Sequence, residues 1–135
     1  MDTLKKINNL KILIFASLLF IGCRLDGKYS NLRACNQSYN SNYEDVITNI
    51  YISNEATNDN FVSVWNGKLG SNQSTLIEID CGNYGVKFSG TRSYNSGIEK
   101  PIEVTTGYKT PIRFAAFWTF RLIYDGKGLV AEEED

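Results

Sequence analysis

Residues 112–124, IRFAAFWTFRLIY, carry the longest strand pattern in the chain. In an extended chain, successive side chains point to opposite faces, so these residues divide into two alternating sets. The first set is almost wholly apolar: Ile112, Phe114, Ala116, Trp118, Phe120, Leu122 and Tyr124. The second set is mixed: Arg113, Ala115, Phe117, Thr119, Arg121 and Ile123. One apolar face and one mixed face predict a long strand of an antiparallel sheet, with its apolar face on the core.

A helix over the same residues is the alternative. The residues spaced on helical turns are Phe114, Phe117, Arg121 and Leu122. The preceding Pro111 stands where a proline often opens a helix. The aromatic and β-branched content of the stretch favours the strand, as does the Asp-Gly pair immediately after it.

Shorter runs of alternating or β-branched residues occur on both sides of this stretch. They cover residues 46–53, 61–65, 76–80, 86–89, 102–105 and 129–132. Turns are predicted at Asn66-Gly67, at residues 81–85 and at residues 125–128, and a polar loop at residues 90–100. About seven strands joined by Gly and Asn turns predict an all-β fold. We expect a single small antiparallel β-sandwich, with a small β-barrel as the alternative.

The first 22 residues have the organisation of a secretory signal peptide. Lys5, Lys6 and Lys11 make its start positive, and a run over residues 12–21 follows that is apolar except for Ser17. The small residue Gly22 comes directly after that run, at the place of cleavage. The run is much shorter than the roughly 18 residues needed to span a bilayer, so it is not predicted to be a transmembrane anchor.

The five residues Leu19-Phe20-Ile21-Gly22-Cys23 resemble the lipobox of bacterial lipoproteins. This resemblance covers residues 1–23 and implies cleavage before Cys23, whose sulfur then carries a diacylglycerol membrane anchor. Arg24 stands where an aspartate retains some lipoproteins at the inner membrane, so the resemblance implies the outer membrane of a cell envelope. The expected organisation is a signal peptide at 1–22, the lipidated cysteine and a polar tether at 23–42, and a β-domain at 43–135.

Three cysteines are an odd number for an exported chain. If Cys23 is acylated, Cys35 and Cys81 remain in a compartment that oxidises thiols. Cys81 also shares a predicted strand face with Ile77 and Ile79, which points it toward the core. We therefore predict a disulfide between Cys35 and Cys81.

Charge and composition exclude several classes of function. Removal of residues 1–22 changes the net charge from −1 to −3, because it removes three lysines and one aspartate. No basic stripe occurs, so nucleic acid is not an expected partner. The chain has no histidine and no phosphate-binding or metalloprotease motif, so neither an enzyme nor a metal site is predicted. Glu78 and Asp80 are interpreted as surface acids, and no cofactor is expected beyond the covalent lipid.

Tyrosines in polar loops carry the remaining functional signal. The residues concerned are Tyr39, Tyr43, Tyr84, Tyr94 and Tyr108. Tyrosine among small polar residues is typical of recognition loops, although the same rings could simply hold the loops down. We predict partner binding through Tyr84, Arg92, Tyr94 and Tyr108. The predicted function is a non-catalytic envelope lipoprotein that binds a protein or glycan partner or supports an envelope assembly. The alternative is a lipocalin-like barrel that carries a small hydrophobic ligand.

Overall fold

A computed structural model describes residues 28–54, 60–106 and 112–134 of the 135-residue chain. The predicted signal peptide and Cys23 lie outside the described residues. Every regular element in the described part is a strand: β1 (Tyr29–Asn36), β2 (Tyr43–Asn54), β3 (Val62–Leu69), β4 (Gln73–Asp80), β5 (Gly82–Tyr94), β6 (Glu99–Thr105), β7 (Ile112–Phe114), β8 (Thr119–Tyr124) and β9 (Leu129–Glu134). The predicted all-β class is confirmed.

The strands form two sheets that pack face to face. The first sheet has the order β4-β1-β8-β9, and the second has the order β3-β2-β5-β6, with β7 beside one end of β5. Across the described residues neither sheet closes on itself, so the fold is a small β-sandwich and the barrel alternative is wrong.

The core lies between the two sheets. Its most deeply buried apolar side chains are Leu32, Ala34, Ile47, Ile50, Val86, Phe88, Phe114, Leu122 and Tyr124. The predicted alternation holds in β4, where Ile77 and Ile79 are buried and Leu76 and Glu78 are exposed. β4 therefore buries one face and leaves the other in contact with solvent, as alternation in an antiparallel sheet requires.

The boundary predicted at residue 43 is wrong, because the domain already includes β1. β1 is an inner strand of the first sheet, and Leu32 and Ala34 have no exposed surface. It pairs with β4 in antiparallel fashion but with β8 in parallel, so the predicted antiparallel β-sandwich contains one parallel strand pair among the described strands. Ser30 and Ala34, which are small or polar, occupy inward positions beside Leu32. The sequence of β1 therefore shows almost no alternation of apolar and polar residues by which the strand could be predicted.

The stretch at residues 112–124 is two strands and not one. β7 pairs with β5 in the second sheet, whereas β8 pairs with β1 in the first. Between them the chain turns, and Phe117 takes the left-handed conformation with φ 63°. Phe114, Leu122 and Tyr124 are buried as predicted, but Trp118 is 49% exposed. Alternation continues through the stretch because each half keeps its own buried face, so the pattern does not reveal the bend.

Several predicted turns are also corrected. Asn66-Gly67 lies inside β3, and the chain turns instead at residues 70–72, where Asn72 has φ 65°. Residues 81–85 are not a hairpin, because β4 and β5 belong to different sheets and the chain crosses between them at Cys81. The predicted loop at residues 90–100 is largely strand, since β5 runs to Tyr94 and β6 begins at Glu99.

The predicted turn at residues 125–128 and the strand after it are confirmed. One oxygen of Asp125 accepts hydrogen bonds from the backbone N–H groups of Lys127 and Gly128 at 2.8 and 2.9 Å. These two bonds stabilise the ionised carboxylate and lower the pKa of Asp125. The side chain thereby holds the tight reversal from β8 to β9.

Candidate functional site

The predicted disulfide between Cys35 and Cys81 is wrong. Cys35 lies opposite Ser74, whereas the N–H of Cys81 bonds to the carbonyl oxygen of Lys28, just before β1. The two cysteines are thus at opposite ends of the β1–β4 pair, about 23 Å apart at about 3.3 Å per residue. A disulfide needs Cα atoms within about 7 Å. Alternation identifies the face on which a residue lies, but not its position along the strand.

Tyr84 is part of the core, so the prediction that it presents its ring to a partner is wrong. Only 9% of the residue is exposed, and its ring packs against Phe114 with centroids 5.9 Å apart. The hydroxyl donates to the carbonyl oxygens of Asp80 and Cys81 at 2.9 and 3.3 Å. Burial, together with the charge of Asp80, raises the pKa of Tyr84. Tyr108, like Cys23, lies outside the described residues.

The structure brings two of the predicted residues, Arg92 and Tyr94, together with Tyr43, another of the loop tyrosines, and with Lys100, which the sequence did not single out. The guanidinium carbon of Arg92 lies 3.8 Å from the ring centroid of Tyr43, and the rings of Tyr43 and Tyr94 meet edge to face at 5.4 Å. The Lys100 ammonium lies 5.8 Å from the ring centroid of Tyr94. We call Tyr43, Arg92, Tyr94 and Lys100 the tyrosine end of the domain.

A buried ion pair lies on the core side of the tyrosine end and supports it. Arg92 Nε donates to Asp45 Oδ1 at 2.8 Å, and Nη2 donates to Oδ2 at 3.0 Å. The Asp45 side chain has no exposed surface, whereas that of Arg92 is 22% exposed. Nη2 also donates to the carbonyl oxygen of Gly126 at 3.0 Å. Such a bidentate pair fixes both the position and the plane of the guanidinium.

Two hydroxyl groups complete the coordination of Asp45. Tyr124 donates to Oδ2 at 2.8 Å and Ser38 donates to the same oxygen at 2.7 Å. The buried side-chain amide of Asn36 donates to the backbone carbonyl oxygens of Asp45 and Leu69, each at 2.9 Å. These bonds connect the two sheets at one end of the sandwich and satisfy a charge that would otherwise be costly to bury.

The network shifts the acid–base behaviour of its members. Burial alone would raise the pKa of Asp45, but hydrogen bonds from Arg92, Ser38 and Tyr124 outweigh burial and lower it. Burial and the hydrogen bond to Asp45 raise the pKa of Tyr124 to about 12. The Asp45 carboxylate likewise raises the pKa of Arg92. At neutral pH the cluster therefore holds one negative and one positive charge and a neutral phenol.

Arg92 was predicted as a contact residue, and its geometry gives it a different role. Its hydrogen bonds go to Asp45, Tyr124 and Gly126, and its plane supports the ring of Tyr43. It is a positioning residue for the tyrosines. Asp45 was not predicted, although its charge lies two residues before Ile47 on the same inward face of β2. A charged residue on a core face was the available signal for a buried partner.

A shallow groove of about 210 Å³ lies beside the tyrosine end. Tyr94, Lys100, Pro101 and Ile102 line its β5–β6 side, and Gly126 from the β8–β9 turn lines the other. The groove therefore combines a ring, a cation, apolar surface and backbone. A peptide or a sugar can be held by stacking and by hydrogen bonds on such a surface.

The outer face of the first sheet carries two arginines. Arg33 and Arg121 are neighbours on the parallel β1–β8 pair and line an open groove of about 440 Å³. Arg121 lies 3.8 Å from Glu132 on β9. Glu78 and Asp80 are both exposed on β4, consistent with their interpretation as surface acids.

Exposed aromatic side chains stand at the opposite end of the sandwich from the tyrosines. Phe117 is 60% exposed and Trp118 is 49% exposed, and we call this pair the aromatic tip. The N–H of Phe117 donates to the carbonyl oxygen of Tyr29 at 3.2 Å, so the tip adjoins the start of β1. The Trp118 ring stacks on Phe120 with centroids 6.2 Å apart.

In the part of the chain that the structure describes, no three His, Cys, Asp or Glu side chains are grouped as metal ligands. The same part contains no helix of the length and apolarity that crossing a membrane requires. No protein-family model, no curated protein and no solved structure matches the chain.

Proposed function

We propose that the chain is a non-catalytic lipoprotein of a bacterial cell envelope, anchored by lipid at Cys23, whose tyrosine end binds a protein or glycan partner. The anchoring part of the proposal rests on the signal-like residues 1–22 and on the lipobox resemblance before Cys23. The binding part rests on one observation: Tyr43 and Tyr94 are held by a buried ion pair at one end of the domain.

The position of this end supports a role in reaching a partner away from the membrane. The chain enters the domain at Lys28 and Tyr29, and β1 then runs about 23 Å, at about 3.3 Å per residue, to Asn36. The amide of Asn36 bonds to Asp45, at the base of the tyrosine end. A lipid at Cys23 therefore leaves Tyr43 and Tyr94 at the far end of the sandwich.

The chemistry of the tyrosine end also favours binding over catalysis. Tyrosine offers rigid contact area at a low entropic cost, and the Arg92 pair removes further freedom from Tyr43 before a partner arrives. Asp45, the acid beneath these rings, has a fully buried side chain and four hydrogen-bond contacts to protein groups, so it is not presented to a substrate. The lipocalin-like carrier depended on a closed barrel, so it is not proposed.

The lipid is tested by metabolic labelling in bacteria that express the full chain. A fatty-acid probe should label the wild type, and a Cys23→Ser variant should lose both the label and its place in the membrane fraction. An unlabelled wild type would overturn the anchoring part of the proposal.

Partner binding is tested with the Cys23→Ser protein on a panel of purified envelope proteins and cell-wall glycans. Tyr94→Ala combined with Lys100→Ala should weaken capture by about thirtyfold, the loss expected for one interface hot spot of about 2 kcal/mol. The matched control is Tyr51→Ala with Lys87→Ala. Tyr51 on β2 and Lys87 on β5 form a similar contact between a lysine and a tyrosine ring, at 4.8 Å, away from the tyrosine end. Equal capture by both double variants would show that the tyrosine end is not the binding site.

A further inference from the structure

The aromatic tip has an unusual backbone for its residue type. Phe117 has φ 63°, a left-handed conformation that glycine and asparagine adopt readily and that costs a bulky residue about 1–2 kcal/mol. Its ring is 60% exposed, so burial returns little of that cost. Strained residues of this kind are found where the strain serves a function.

The turn that carries the tip is firmly held. The carbonyl oxygen of Trp118 accepts hydrogen bonds from the N–H of Asn31 and the hydroxyl of Ser30, each at 3.0 Å. The N–H of Phe117 donates to Tyr29, and the N–H of Trp118 donates to Ala115 at 3.3 Å. The backbone that carries the two rings is therefore held by hydrogen bonds to β1 and within the turn.

The tip lies close to the point at which a lipid anchor would join the domain. Lys28 follows Cys23 by five positions, and an extended chain of that length spans at most about 18 Å. Tyr29 follows directly and accepts the hydrogen bond from Phe117. A membrane that holds Cys23 is consequently within reach of Phe117 and Trp118, whereas the tyrosine end is a full strand length further away.

Beside the tip, Arg113, Ala115, Trp118 and Phe120 line an open groove of about 360 Å³. The groove pairs aromatic rings with a single cation. Tryptophan and phenylalanine prefer the boundary between lipid headgroups and acyl chains, and arginine can reach phosphates from the same depth. Contiguous exposed aromatic surface on a small domain is itself typical of a contact with a membrane or a partner.

We propose that Phe117 and Trp118 insert into the interface of the phospholipid membrane that holds the Cys23 lipid, with Arg113 toward the phosphates. This inference rests on the proposed lipid anchoring. The contact is a second membrane attachment beside the lipid. It also orients the domain so that the tyrosine end faces away from the bilayer. The competing proposal is that a sugar stacks on Trp118 and Phe120, and the experiment below distinguishes the two.

The experiment uses the full lipidated protein, purified from bacteria and reconstituted in vesicles of phosphatidylethanolamine and phosphatidylglycerol. A Trp65→Phe background leaves Trp118 as the one tryptophan in the chain. Trp118 emission should shift to shorter wavelength in vesicles and should be quenched by phospholipids brominated near the headgroup end of their chains. Mass spectrometry of the same sample reports the Cys23 lipid independently.

Phe117→Asn tests the strained position directly. Asparagine suits the left-handed conformation, so the melting temperature should stay constant or rise. Binding of the Cys23→Ser form of this variant to the same vesicles should fall by about tenfold, the effect expected for losing one inserted ring. Ile98→Asn is the matched control, because Ile98 is 56% exposed in the β5–β6 turn at the other end of the domain. That variant should bind vesicles like the parent.

The outcomes separate the two proposals. A lipidated Cys23 with an unquenched Trp118 overturns the membrane contact and leaves the lipoprotein function intact. Trp118 that responds to cell-wall glycan fragments but not to brominated lipid assigns the tip to a sugar, which also overturns the membrane contact. A Cys23 without lipid overturns the anchoring, and the inference falls with it.

Discussion

Arg92 and Asp45 lie directly opposite each other on β5 and β2 and form a bidentate ion pair whose acid is fully buried. The pair is separated by 47 residues in the sequence. Because Oδ2 of Asp45 also accepts hydrogen bonds from Ser38 and Tyr124, the pair connects the stability of the domain to the shape of the tyrosine end.

Removing the charge of Asp45 should destabilise the domain strongly. Asp45→Asn leaves the Arg92 cation without its counter-charge, and we expect a loss of about 2–4 kcal/mol in the free energy of unfolding, reduced from the fully buried case by the partial exposure of Arg92. Denaturant unfolding measures the loss. Glu103→Gln is the control, because Glu103 is 67% exposed and 3.7 Å from Lys87. It should change stability by less than about 0.5 kcal/mol, and similar losses in the two variants would contradict the assignment.

Acid should unfold the wild type through the same residue. The folded-state pKa of Asp45 is lowered, so its contribution is complete above the unfolded-state pKa of about 3.9 and is lost as the pH falls toward the folded-state value. Stability measured from pH 6 down to about pH 2 should therefore fall more steeply in the wild type than in Asp45→Asn. Parallel curves for the two proteins would show that Asp45 is not responsible.

Gly90 should not tolerate a side chain. It lies in β5 opposite Ile47, beside the bulge in β2, and a Cβ atom there would meet the carbonyl oxygen of Val46 and come within 2.8 Å of the Cα of Ile47. Because both contacts are backbone atoms, Gly90→Ala should cost about 3 kcal/mol or more. Gly128→Ala is the control, since a Cβ atom at that position would meet no heavy atom within 4 Å beyond its chain neighbours. Thermal unfolding of both variants gives the comparison, and an unaffected Gly90→Ala protein would be incompatible with this packing.

Cys35 and Cys81 should both remain thiols in the folded protein. Their separation along the β1–β4 pair is about 23 Å, so a bond between them would require the sheet to break. Thiol titration of unfolded, non-reduced Cys23→Ser protein should count two groups, the same number as after reduction. In the folded protein Cys81 should react faster, because Cys35 is only 6% exposed. A disulfide-linked peptide containing both cysteines would refute this prediction.

The class of the fold and much of its core could be predicted from the residues alone. Alternation in β4 and in the two halves of residues 112–124 correctly identified Ile77, Ile79, Phe114, Leu122 and Tyr124 as inward residues. It did so because a period of two residues is a covalent property of an extended chain and is visible wherever one face is buried. The turn at residues 125–128 was also predictable, because Asp125 bonds its own neighbours.

The pairing of the strands and the positions of bulges and bends could not be predicted from alternation. The bulge between Ile47 and Asn49 changes the parity of β2, so Ile47 and Ile50 both point inward. The turn at Phe117 sends β7 and β8 to different sheets, and β1 becomes an inner strand with little apolar period of its own. Asp45 and Arg92 likewise become a site only when β2 lies against β5. Alternation reports which way a side chain points, whereas its position along the strand and its partner come from packing between distant segments.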